Sequence, residues 1–160
     1  MTTPHWDARN KTAAILKWTD HLHRQARDAF RADKTHLQIV FMFGDAGLVS
    51  INPVPEGQDH AGTQAAIRRA VKDHHLYAVI HIGEVWTYFT HAHDHTAAQL
   101  RAGEIKVSEL RPQDRTECLY VRMESRDGAS VVLLDRIVRE KGAVTLGAGR
   151  RLDGETRQWF

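Results

Sequence analysis

Leu76-Tyr77-Ala78-Val79-Ile80-His81-Ile82-Gly83-Glu84-Val85-Trp86-Thr87-Tyr88-Phe89 is the strongest strand signal in the chain. Leu76, Ala78, Ile80 and Ile82 alternate with Tyr77, Val79 and His81, the period of two that a β-strand imposes on its faces. Gly83 predicts a bulge or bend, after which Glu84, Trp86 and Tyr88 share one face. His81 sits inside the apolar run and reads as a buried, hydrogen-bonded histidine.

Upstream, Asp59 or Thr63 can cap a helix that runs to about His74, with Ala66, Ile67, Ala70, Val71 and His74 as its inner stripe. Its outer Arg68, Arg69 and Lys72 read as a solvated face. Earlier still, the apolar run Leu37 to Phe43, the turn Gly44-Asp45-Ala46-Gly47 and the resumption Leu48 to Ile51 predict a β-hairpin closed by Pro53 and Pro55. Residues 8–32 space Ile15, Trp18, Leu22, Ala26 and Phe30 three and four apart, an amphipathic helix in which Trp18 and Phe30 anchor the core. Downstream, residues 90–116 are polar, with a short helical turn at Thr96 to Ala102. Glu117–Ser125, Val131–Val138 and Ala143–Leu146 then read as a meander turning at Asp127-Gly128 and Lys141-Gly142. The last dozen residues are basic and end in Trp159-Phe160, a tail either loose or docked, a partner chain being one possible dock.

These elements predict an α+β fold: a mostly antiparallel sheet of about six strands with two helices packed on one face, in the order α-β-β-α-β-β-β-β. The 160 residues fit a single domain spanning 1–160, with 148–160 as a C-terminal tail. At 42% hydrophobic and 26% charged, the composition is that of a globular protein. No apolar run approaches the ~18 residues needed to span a bilayer, and the first residues carry no basic-then-apolar leader. A lone cysteine, Cys118, fits a reducing compartment and reads as a small buried hydrophobe. Together these features predict a cytoplasmic protein that does not bind membranes. The net charge of +2 makes nucleic acid the weakest ligand class. Eleven histidines make the chain histidine-rich and predict pH-sensitive solubility.

Two constellations carry candidate chemistry. His91, His93 and His95 surround Asp94, and histidines two apart on an extended segment point the same way and can share a divalent metal. The segment resembles the zinc motif of metallo-β-lactamase-fold hydrolases but lacks the spacer between the second histidine and the aspartate. The chain is also short for that fold, so the assignment is not made. The bland alternative is a polar loop with exposed histidines. The second constellation is Glu84-x-Trp86 with Arg111-Pro112-x-x-Arg115-x-Glu117. If the strands bearing Glu84 and Glu117 pair, Arg115 can bridge a carboxylate and pin the long loop. Alternatively it forms an anion pocket with Trp86 as a stacking wall.

The arrangement of helix, proline-ended hairpin, helix, Glu-x-Trp strand and Pro-x-x-Arg-x-Glu strand opening resembles small proteins of bacterial and phage genomes. Glu84, Trp86, Pro112, Arg115 and Glu117 carry the match, across most of residues 10–147. The resemblance implies organisation and no particular chemistry, since that family has no assigned activity. It also puts the His91–His95 loop in a variable stretch.

Phosphate loops of the Gly-x-x-x-x-Gly-Lys-Ser/Thr or Gly-x-Gly-x-x-Gly type are absent, as is a Gly-x-Ser-x-Gly elbow. The leading expectation is therefore a non-enzymatic binding module, a homo-oligomer and phage or mobile-element accessory. It binds a partner protein or a small anion such as a nucleotide through Glu84, Trp86, Arg115 and Glu117. The rival is a metal-dependent hydrolase on His91, His93 and His95, with Asp94 or Glu84 as base.

Overall fold

A computed structural model describes residues 2–88, 95–154 and 157–160. Helix α1 (Lys11–Asp33) is started by Asn10, whose side chain accepts from the Ala13 N–H at 3.2 Å. It ends at Lys34, whose left-handed backbone returns its N–H to the Phe30 carbonyl. Strands β1 (Ile39–Gly44) and β2 (Gly47–Pro53) form the expected hairpin. Helix α2 (His60–Asp73) is capped by Asp59, which accepts from the Gly62 N–H at 2.7 Å. Strand β3 (Ala78–Thr87) follows, then a third, short helix α3 (His95–Arg101) and two single-turn 3-10 segments, Val107–Glu109 and Pro112–Asp114. Strands β4 (Thr116–Ser125), β5 (Ser130–Glu140) and β6 (Ala143–Asp153) close the meander. All neighbours in the sheet are antiparallel, in the order β2-β1-β3-β4-β5-β6.

The two long helices pack on opposite faces, which corrects the expectation of both on one face. Helix α1 lays Ile15, Trp18, Leu22, Ala26 and Phe30 onto Phe43, Ile80, Ile82, Leu119, Val121, Met123 and Leu133. Helix α2 lays Ile67, Ala70 and Val71 onto Val40 and Val79, joined by Trp159. Ile80 and Val79 are sequence neighbours, so their side chains leave opposite sides of β3. The physical reason lies in the strand itself: Ala78 to Gly83 are buried at every position, so β3 needs a layer on each face. The short helical turn expected at Thr96 to Ala102 is present as α3, one residue earlier, and adds a third helix between β3 and β4 to the expected order.

Gly83 does not break the strand. β3 pairs with β4 in continuous register from Ala78 opposite Ser125 to Thr87 opposite Thr116. The glycine is instead a point of close approach: a Cβ there would collide with the Gln38 amide. β6 extends through Arg150 and Arg151 to Asp153, well past the expected end at Leu146, bulging opposite β5 between Asp135 and Ile137. Helix α1 is fastened to this end of the sheet by His23 and Arg27, which both reach the buried Asp135 carboxylate. Arg151 also faces Asp20 at 3.7 Å. Among the described residues, no helix is long and apolar enough to cross a membrane.

Candidate functional site

Strand pairing brings Glu84, Trp86 and Glu117 together. Trp86 stands directly opposite Glu117 in the β3–β4 ladder, and Glu84 is two residues from Trp86 and so on the same face. That face also carries Ile80 and Ile82, which α1 covers further along. Past the C-terminal end of α1 the cover stops, and the Trp86 side chain is 43% exposed.

Arg115, at the entry to β4, lies over the Trp86 ring with its guanidinium carbon 4.2 Å from the ring centroid. It also donates to the Ser108 carbonyl at 2.7 Å, which ties the 3-10 turns to the strand. Its Nε is buried without a hydrogen-bond partner. The expected bridge from Arg115 to a carboxylate is replaced by a different one. Arg139 of β5 takes Glu117 in a two-pronged pair at 2.8 and 2.7 Å. The hydrogen bonds that Arg139 donates to Glu117 raise its pKa above the ordinary value, and the charges of Glu117 and Glu84 add in the same direction. Glu84 itself accepts from the His36 backbone N–H at 3.0 Å, at the point where the chain leaves α1 for β1.

Arg139 is the site residue that sequence reasoning missed. The signal was present: folding β4 onto β5 about Asp127-Gly128 sets Cys118 opposite Arg136. That register puts Glu117 and Arg139 on one face as diagonal neighbours.

The histidine loop offers less. His95 is the exposed first residue of α3, while His91, His93 and Asp94 lie outside the described residues. Among the described residues, no group of three His, Cys, Asp or Glu side chains stands close enough to hold a metal ion. Cys118 is buried, and its burial pushes the thiol pKa up, away from a reactive thiolate.

A second polar cluster lies on the other face of β3 and β4. His81 is buried, with Nε2 at 2.8 Å from the Gln38 Oε1 and its ring edge-on to Tyr120. Burial, with the positive charges of His60 and Arg122 behind it, pulls its pKa down to about 4. Glu124 is fully buried and accepts from Arg122 Nε at 2.9 Å and from the backbone N–H groups of Gln158 and Trp159 at 2.8 and 3.1 Å. The Trp159 indole N–H reaches the Gln64 side chain of α2. The terminal aromatic thus docks on its own chain.

Residues 3–160 match the family described as Bacteriophage lambda protein ea47. No curated protein and no solved structure matches the chain.

Proposed function

The chain belongs to the Bacteriophage lambda protein ea47 family, and on that premise we propose that it is a phage accessory protein that binds a protein partner through Trp86 and Arg115, without catalysing a reaction. The observation that carries this reading is the Trp86 ring, 43% exposed and overlain by the Arg115 guanidinium. Tryptophan and arginine are the residues most enriched where protein interfaces concentrate their binding energy. A ring of this size left half in water has apolar area to lose on association. The surrounding charges favour a protein over a small anion. Arg139 is paired with Glu117, and the Glu84 carboxylate shares their face of the sheet, so a phosphate would meet two carboxylates beside the guanidiniums of Arg115 and Arg139.

The test compares immobilised wild type with Trp86→Ala and Arg115→Ala in lysates of phage-infected cells, quantified by mass spectrometry, with captured proteins then titrated in pure form. The expected result is a partner whose affinity falls roughly 30-fold in Trp86→Ala, the effect of losing about 2 kcal/mol at an interface anchor. Capture of the same proteins with the same affinity by both variants sinks the reading. So does calorimetric binding of a nucleotide that Arg115→Ala abolishes, which would return the site to a small anion.

A further inference from the structure

The two edges of the sheet are built differently. β6, at one edge, carries Arg150, Arg151 and Asp153 and a bulge in mid-strand. Charges and bulges are the usual means by which an edge strand is kept from pairing with another chain. β2, at the other edge, reads Gly47-Leu48-Val49-Ser50-Ile51-Asn52-Pro53 and contains no charged residue. Its side chains include three of the large hydrophobics most exposed in the molecule: Leu48, Val49 at 64% and Ile51 at 54%. The β1–β2 bulge lies close to the turn, between Met42 and Phe43, and leaves Ser50 to Pro53 in regular register.

The backbone supplies the direction. Val54 N–H donates inward to the Gln38 carbonyl at 2.9 Å, and hydrogen bonding alternates along an antiparallel strand. Asn52, opposite Val40, therefore turns its backbone groups toward β1, and Ile51 turns its N–H and C=O outward. Pro53 also faces outward, where its missing N–H costs the β1–β2 ladder nothing.

We propose that β2 pairs edge to edge with β2 of a second copy of this chain, antiparallel, about a two-fold axis at Ile51. Each Ile51 N–H then meets the Ile51 carbonyl of the other copy, and the two exposed Ile51 side chains become cross-strand neighbours. A strand without charge can be laid against itself with no like charges opposed. The same strand with a lysine or glutamate at position 51 could not, since that residue faces its own copy across the axis. The partner is thus the chain itself, and the product is one sheet continuous through both copies. A single strand pair buries less than the ~800 Å² per side of a standard interface, so association is concentration-dependent. This surface is separate from Trp86 and does not rest on the reading given for it.

Sedimentation velocity of the full chain between about 1 and about 200 μM tests the proposal, the range being that of micromolar affinities. The expected result is a mass rising toward two chains, with the dissociation constant raised at least about tenfold by Ile51→Lys and unchanged by Trp86→Ala. Deuterium exchange of wild type at both concentration limits adds a measurement that needs no variant. The peptide covering 48–54 exchanges more slowly at the higher concentration, while that covering 143–153 does not change. A monomer at every concentration overturns the proposal. So does a dimer in which protection falls elsewhere, or one that Trp86→Ala abolishes.

Discussion

Strands β3 and β4 carry two polar clusters, one on each face, and the clusters differ in what surrounds them. His81, Arg122 and Glu124 point toward α2, under Trp159 and Gln64, and are sealed from water. Glu84, Trp86 and Glu117 point the other way, beyond the end of α1, and stay in contact with solvent. The same chemistry therefore does two jobs. In the sealed cluster each hydrogen bond replaces one that water cannot supply, so the groups depend on one another. In the open cluster water stands in for any lost partner, and the side chains are available to a second molecule.

The comparison is broken most forcefully at Glu124. Glu124→Ala removes the buried carboxylate that accepts from Arg122 Nε and from the N–H groups of Gln158 and Trp159. The expected loss is about 3–5 kcal/mol of unfolding free energy, read from urea denaturation. A loss below about 1 kcal/mol would mean that water reaches the cluster and that the contrast between the faces is false.

Acid probes the same cluster without mutation. The folded pKa of His81, about 4, lies below its ordinary value of 6.5, so the fold favours the neutral ring. This contribution is complete above about pH 6.5 and is lost as pH falls toward 4. About 3 kcal/mol of stability should disappear across that window. His81→Gln, which retains a side chain able to bond Gln38, should flatten the curve there. An unchanged slope in that variant would assign the acid sensitivity to other groups.

The open cluster should respond weakly. Glu117→Gln breaks a pair whose arginine is half exposed, with an expected cost of about 1 kcal/mol or less by the same denaturation measurement. A cost comparable to that of Glu124→Ala would show that the Trp86 end of the sheet is structural too.

Much of this was legible in the sequence, and the gaps have a common cause. The alternation in Leu76–Ile82 located β3, its histidine and its neighbours, and Asp127-Gly128 located the β4–β5 turn. Glu-x-Trp and Arg-x-Glu came together because strand pairing alone aligns them. What periodicity could not say was that β4 is covered on both sides. Leu119, Val121 and Met123 mark one face as buried, and their alternation carries no sign of what covers Arg122 and Glu124 on the other. Trp159, thirty-five residues beyond Glu124, closes over them together with Gln64 of α2. Gly83 was read as a bend because a glycine's own conformation is visible in sequence, whereas an approaching Gln38 is not.

The connection between the paired ends Thr87 and Thr116, residues 88–115, has a consequence for how such a protein can change. Closing a loop costs entropy that grows only with the logarithm of its length, about 0.6 kcal/mol for each doubling. An insertion of that size is cheap beside the sheet that holds both ends. Trp86, Glu117 and Arg139 are held by strands, and Arg115 is the last residue of the connection, next to β4. The segment is thus where length and composition can drift at little thermodynamic cost, reshaping the rim of the open cluster while its anchors stay in register.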